Sequence, residues 1–382
     1  LRRSLLLAGL ALSVFSSQAI WVTYSPVTSL VAEDLDVSKE EVGLLAIVYP
    51  AAFLALTIPS GVLLDRAFRT WLTVGVLLTG AAGVLRLLDP LSYEWLLACQ
   101  VLAALGQPLL LNSFAPAAST IRPERRDTVV SLLSFAMYLG IIYALGTGYY
   151  IYTRLGLQWL NIPIAAVSAA SVILYVAGLP ALPQQAGSGL GFKDVVSEFR
   201  LLAGRRDLWL LGLILGLGVA LFDNMSIWLE AALSPKGLGD IAGSSVALAL
   251  LAGLVGVAVI PPRVVRVGLR SWYIRAAALL VAVLYLALAL ETSRLAVQTL
   301  IPLAGLVMLP AYPVIMEWIS TYYDKRLQGK AAGAIGFVSR ILTVSLASAA
   351  TLFLSSPSAY FTFLAVLSTI AFAIALLLPS DR

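Results

Sequence analysis

The chain has 382 residues, of which 60% are hydrophobic and 12% charged, against about 25% charged in soluble domains. That leaves too little polar material to clothe a water-facing surface, so the bilayer must be the solvent for most of the chain. A formal charge of +5, no histidine and a single cysteine exclude imidazole-based proton relay, haem or zinc ligation by histidine, and any disulfide framework.

A membrane-crossing helix needs about 20 apolar residues. Windows between charged punctuation predict twelve: 4–32, 42–64, 70–88, 93–120, 127–153, 158–181, 207–233, 243–262, 270–291, 294–322, 328–354 and 357–378. These runs are too long and too continuously apolar for barrel strands. The expected fold is an all-α membrane protein of two six-helix bundles. Segment 1 is about thirty residues long without a small-residue cleavage site, and is read as a retained helix, not a signal peptide. It carries Trp21, Tyr24 and Pro26, and an acidic loop with Glu33, Asp34, Asp36, Glu40 and Glu41 follows it.

Segment 2 runs into Gly61-Val-Leu-Leu-Asp65-Arg66-Ala-Phe-Arg69. This loop resembles the signature loop of the major facilitator superfamily, G-x-x-x-D-R/K-x-G-R/K-R/K, with Phe68 and Thr70 departing from it. The resemblance implies a conformational latch formed by Gly61, Asp65, Arg66 and Arg69. Gly61 would let two helices approach closely and Asp65 would meet a neighbouring helix N-terminus.

Segment 4 contains Gln100, then Gly106, Gln107, Pro108, Asn112 and Pro116. The longest inner loop, 182–206, starts with flexible PQQAGSGLGF. Phe192, Val195, Val196, Phe199 and Leu202 then recur at helical spacing, which predicts a short amphipathic helix on the membrane surface. This divides the chain into a bundle at 1–181, a linker at 182–206 and a bundle at 207–382. Segment 7 has a polar stretch, Asp223, Asn224, Ser226 and Trp228, where a bend is expected, and Glu230 is placed at the outer interface. Segment 10 carries Pro310, Pro313 and Glu317. Asp324-Lys325-Arg326 then repeats Glu124-Arg125-Arg126 at the matching point of the other half, as parallel repeats predict. Gly329 opens segment 11, which holds Arg340. Most basic residues fall on one side if both termini are cytoplasmic, Arg86 being among the few assigned to outer loops.

Four stretches together, around Trp21–Pro26, Gln100–Pro116, Pro310–Glu317 and Gly329, resemble the feline leukaemia virus subgroup C receptor-related transporters and their lysosomal vitamin-exporter relative. That family is linked to choline, ethanolamine or pyridoxine. The resemblance implies that Trp21 and Gln107 face the substrate, with Tyr24 and Asn112 beside them. A helix-11 glutamine of the choline-type members is replaced here by Arg340. A quaternary ammonium favours aromatic faces and is repelled by a cation, whereas an arginine suits a carboxylate or phosphate.

At 1.5 Å per residue, Trp21, Gln107, Asp223 and Arg340 all fall near mid-bilayer, and Glu317 nearer the inner side. An ionised side chain at the bilayer centre costs at least about 2.5–3.5 kcal/mol, so Asp223, Glu317 and Arg340 need partners or a water-filled cavity. Arg340 either anchors an anion or is tied internally to Glu317 or Asp223. Asp223 is expected among the substrate-binding residues and, with Glu317, in coupling or charge balance, and Trp21 either meets solute or simply packs. No Walker loop accompanies these features, and the GSGLG stretch follows no strand.

The expected function is secondary active or facilitative transport of a small organic solute, anionic or zwitterionic, by alternating access around a midplane site. A lipid or amphiphile flippase on the same scaffold is the alternative. No enzyme activity, cofactor, metal or nucleic acid is expected. Membrane lipid is the expected surround, and the protein is read as a monomer. The scarcity of Asn, Cys and His suits the cell membrane of a hot-growing prokaryote.

Overall fold

Among the described residues, twelve helical stretches are long and apolar enough to cross a membrane in the computed structural model. The structure describes residues 1–183, 204–323 and 325–379. The linker helix expected at 192–202, the GSGLG stretch and Asp324 lie outside them. The spans are α1 (Arg2–Asp34), α2 (Lys39–Arg66), α3 (Phe68–Leu85), α4 (from Tyr93), α5 (Pro123–Leu155) and α6 (Leu157–Ala181). There follow α7 (Arg206–Lys236), α8 (Gly239–Val267), α9 (Arg270–Leu290), α10 (Arg294–Tyr322), α11 (Ala331–Phe353) and α12 (Pro357–Leu376).

The chain forms two compact units, Leu1–Val195 and Val196–Arg382. Each is built by the same rules. In the first, α1 packs on α5 and α6, α2 on α4, and α3 on α4 and α6. In the second, the corresponding pairs recur: α7 on α11 and α12, α8 on α10, and α9 on α10 and α12. Smaller devices recur too. Ser92 caps α4 by accepting from the Trp95 N–H at 3.2 Å, and Ser293 caps α10 by accepting from Ala296 N–H at 3.3 Å. Arg69 at the start of α3 donates to Leu182 O at 3.2 Å, beyond the end of α6. Arg275 near the start of α9 donates to Ala375 O and Leu378 O, at 3.0 and 2.6 Å, at the end of α12. A cation placed on the last carbonyls of a helix satisfies them and complements the helix dipole.

In lipid, helices associate by close packing, so their crossings select small residues. A Cβ on Gly9 would lie 2.3 Å from the backbone nitrogen of Tyr175, and one on Gly178 would lie 2.3 Å from that of Leu6, fixing α1 against α6 from both sides. In the second unit a Cβ on Gly305 would lie 2.2 Å from Ala249 O, and one on Gly256 2.3 Å from Leu306 O.

Three spans are broken. Span α1 is helical over Arg2–Trp21, breaks, passes through a turn of 3₁₀ helix at Ser25–Val27 and resumes at Thr28–Asp34. Span α4 comprises Tyr93–Leu111 and Phe114–Ile121, and α10 comprises Arg294–Met308 and Ala311–Tyr322. At the polar stretch where a bend is expected, the α7 helix is unbroken, running over Arg206–Leu233. Two side chains of that stretch donate within the helix itself, Asn224 to Ala220 O at 2.8 Å and Ser226 to Phe222 O at 3.0 Å, while Trp228 donates across to Ala347 O of α11 at 2.9 Å. Segment 7 differs from expectation in one more respect. Glu230, expected at the outer interface, is 3% exposed and packed against Gly239 near the end of the helix.

Candidate functional site

In the second unit, the tight packing of α7 on α11 brings Asp223 and Arg340 together. Arg340 Nη1 donates to Asp223 Oδ2 at 3.3 Å. Of the two internal ties open to Arg340, this is the one formed. The exposures are unequal: the Asp223 side chain is 4% exposed and that of Arg340 27%. The acid is sealed into the bundle while the cation is partly exposed. Beside Asp223, the Oδ1 of Asn224 is buried without a hydrogen-bond partner. Tyr312, on the second piece of α10, lies within the electrostatic reach of Arg340.

Glu317 is held elsewhere. Arg270 grips it at two points, Nη2 to Oε1 at 2.9 Å and Nε to Oε2, and Thr321 donates to Oε1 at 2.7 Å. The Arg270 guanidinium also faces the Tyr322 ring, 6.0 Å from its centroid. Glu317 therefore joins α9 to α10 near one end of the bundle, apart from the Asp223–Arg340 pair.

In the first unit, Trp21 ends the first piece of α1. It is 6% exposed, and its indole N–H donates to Ala46 O of α2 at 3.1 Å. Gln107 is equally buried, and its Oε1 has no partner. Asn112, at the break of α4, donates to Thr57 O and Ser60 Oγ, both at 2.8 Å, and so ties α4 to α2. The hydroxyl of Tyr24 donates to Asn161 Oδ1 at 2.9 Å. Tyr24 and Asn112 thus have protein partners, whereas Gln107 carries an open acceptor.

One residue central to this unit is not among the site residues expected from sequence. Arg86, assigned there to an outer loop, is fully buried. It contacts Thr23, Gln100 and Asn161. The available signal was local: Val84-Leu85-Arg86-Leu87-Leu88 places one charge inside an apolar run.

The family model of the major facilitator superfamily matches residues 10–347. The chain belongs to the major facilitator superfamily. Among curated relatives, it is 29% identical over 273 residues to solute carrier family 49 member A3 of Danio rerio. It is 27% identical over 280 residues to the Xenopus tropicalis protein of that name. Each match covers 67% of this chain and 57% of the relative, so the chain spans little more than half the length of either. Among solved structures it resembles a bacterial homologue of the human lysosomal transporter Spinster, with a TM-score of 0.77 at 16% identity, over 99% of this chain and 97% of that one. It also resembles a POT family transporter in complex with 5-aminolevulinic acid, with a TM-score of 0.78 at 14% identity, over 98% and 94%. These likenesses establish the fold.

The superfamily's signature loop takes a particular form in this member. Asp65 and Arg66 are exposed in the last turn of α2. The start of α3, at Ala67, has no side-chain cap, so Asp65 does not cap it. Gly61 does not serve close approach here, since a Cβ built on it meets nothing within 4 Å. Of the four latch residues, Arg69 has a defined partner, the carbonyl of Leu182.

Proposed function

We propose that this protein is a secondary carrier for a small organic solute bearing a carboxylate or phosphate, moved by alternating access, with Arg340 as the anion anchor. The observation that carries this reading is the inequality of the Asp223–Arg340 pair. Asp223 is closed off and fixes the guanidinium, while Arg340 is partly exposed. A guanidinium held in this way is preorganised to grip an oxyanion with parallel hydrogen bonds. The open acceptor of Gln107 suits an amine or hydroxyl elsewhere on the solute, and Trp21 completes the group of proposed contacts. The interruption of α4 and α10, at corresponding places in the two repeats, supports these spans as site-forming. The subfamily resemblance, the cytoplasmic placing of both termini and a prokaryotic cell membrane belong to the same proposal.

A matched-pair uptake experiment tests it. Choline, ethanolamine and pyridoxine each have a counterpart in which the alcohol carbon is a carboxylate: betaine, glycine and pyridoxic acid. In proteoliposomes the acid member of at least one pair is expected to be taken up faster than its alcohol. Preference for the alcohol in every pair carried would overturn the anion anchor. Transbilayer movement of fluorescent phospholipid, with no uptake of any solute, would favour the flippase reading instead.

Coupling separates Asp223 from Glu317. If protons drive accumulation, an imposed pH gradient should concentrate the solute, and Asp223→Asn should abolish that response. Glu317→Gln should mainly loosen the α9–α10 contact. Wild-type accumulation indifferent to the gradient would rule out proton coupling.

A further inference from the structure

Breaking α1 inside the membrane frees the carbonyls of its last turn, and no water is at hand to satisfy them. Thr23 Oγ1 donates to Ala19 O and Ile20 O, at 2.7 and 3.1 Å. The amide nitrogen of Gln100 donates to Ile20 O at 3.1 Å and also to Leu45 O of α2 at 2.8 Å. Those two carbonyls flank the Trp21 contact: Ile20 precedes Trp21, and Leu45 precedes Ala46, which accepts from the indole. Gln100 thus grips both sides of the Trp21–Ala46 bond.

Gln100 is in turn held by Arg86. Arg86 Nη2 donates to Gln100 Oε1 at 2.5 Å, and Nη1 to Thr23 Oγ1 at 3.2 Å and Asn161 Oδ1 at 3.3 Å. The guanidinium lies 5.7 Å from the centroid of the Tyr24 ring, whose hydroxyl shares Asn161 Oδ1. One cation therefore joins the end of α3 to α1, α4 and α6, and through Gln100 to α2. No carboxylate is among these contacts. The helices Arg2–Trp21 and Phe68–Leu85 both end at this node, each presenting a partial negative charge of about half an electron. These two ends offset the buried charge.

The second unit serves as an internal control. It forms the same five helix pairs around an unbroken α7. Tyr285, Met225, Tyr360 and Phe361 are buried there, with Tyr285 donating to Met225 Sδ at 3.1 Å. Among the described residues of this unit, the buried arginine, Arg270, is paired with a carboxylate, Glu317, unlike Arg86. What distinguishes the first unit is the break in α1.

We propose that Arg86 is a positioning residue for transport, holding α1 broken and, through Gln100, fixing Trp21 on α2. This rests on the carrier reading above, and on its assignment of Trp21 to solute contact. The decisive variant is Gln100→Glu in the full-length protein. Its carboxylate still accepts from Arg86, so the node stays paired, but it has no N–H for Ile20 O or Leu45 O. Arg86→Lys keeps the charge while losing the fork that reaches Gln100 and Asn161 together.

Three readouts are taken in proteoliposomes: thermal unfolding, Trp21 emission, and the KM and Vmax of uptake. Trp21 emission is isolated by subtracting the spectrum of the same protein carrying Trp21→Phe. The probes are the matched solutes above. Gln100→Glu is expected to unfold near the wild-type temperature, to shift Trp21 emission to the red, and to raise KM about tenfold, the equivalent of about 1.4 kcal/mol, with Vmax largely kept. Arg86→Lys should fall between the two. An unshifted Trp21 spectrum, or an unchanged KM in both variants, would overturn the proposal and leave the network as a brace. Failure of the carrier reading looks different: the wild type itself would then take up none of the matched solutes, whatever Trp21 emission does.

Discussion

Arg340→Gln is expected to weaken binding of the carboxylate solute about 10- to 100-fold and to destabilise the protein. Adding Asp223→Asn should restore stability without restoring binding. Removing one partner of a buried pair strands the other, at a cost of about 3–5 kcal/mol. Asp223, at 4% exposed, would be stranded. The pair is only partly buried, Arg340 being 27% exposed, which puts the expected loss at the lower end of that range. The double variant replaces an ion pair by two amides that can hydrogen-bond each other, so its stability should return to within about 1 kcal/mol of wild type. Binding should not return, because a charge-assisted contact worth about 1.5–3 kcal/mol has been deleted. Arg340→Lys should be intermediate, retaining charge but not the two-point grip. Thermal unfolding and solute titration on the four proteins form a double-mutant cycle. Equal solute affinity in all four would exclude Arg340 from the site.

The second large effect concerns folding. Gly178→Leu is expected to yield no monodisperse protein on size-exclusion chromatography in detergent, whereas Gly61→Ala should elute as the wild type does. At Gly178 the first added carbon would lie 2.3 Å from the backbone nitrogen of Leu6, an overlap that no rotamer relieves. The helices would have to separate, pulling apart the buried Leu6, Leu10 and Tyr175. At Gly61 the same carbon meets nothing within 4 Å, and replacing a helical glycine by alanine gains roughly 0.5–1 kcal/mol. A wild-type elution profile for Gly178→Leu would show that α1 and α6 can cross farther apart.

The contrast between these glycines shows where sequence reading stops. Length and hydropathy specify the spans because lipid leaves backbone groups no partner but their own helix. Twelve segments were therefore legible, with ends within a few residues for most of them. The interruptions were less so. Pro50 and Pro59 lie within a continuous α2, while α4 does break between Pro108 and Pro116. Proline marks a place where a helix can yield; its neighbours decide whether it does. Which carboxylate Arg340 meets was also undecided by sequence, because that choice depends on the rotation of α7 against α11. Arg86 and Glu230 lie near segment ends, where a charge ordinarily reaches the interface. Only the packing of other spans around them turns both inward. Gln100 and Asn161 are amides inside apolar segments, but nothing local links either to residue 86.

The Arg86 network also sets an order for how the protein is made. Its acceptors come from α1, α4 and α6, so a nascent chain that has threaded only three helices into the bilayer carries an arginine with no place to settle. That charge must wait at the headgroups, or inside the insertion machinery, until Asn161 has been synthesised. The arginine's full set of acceptors is complete only when α6 arrives.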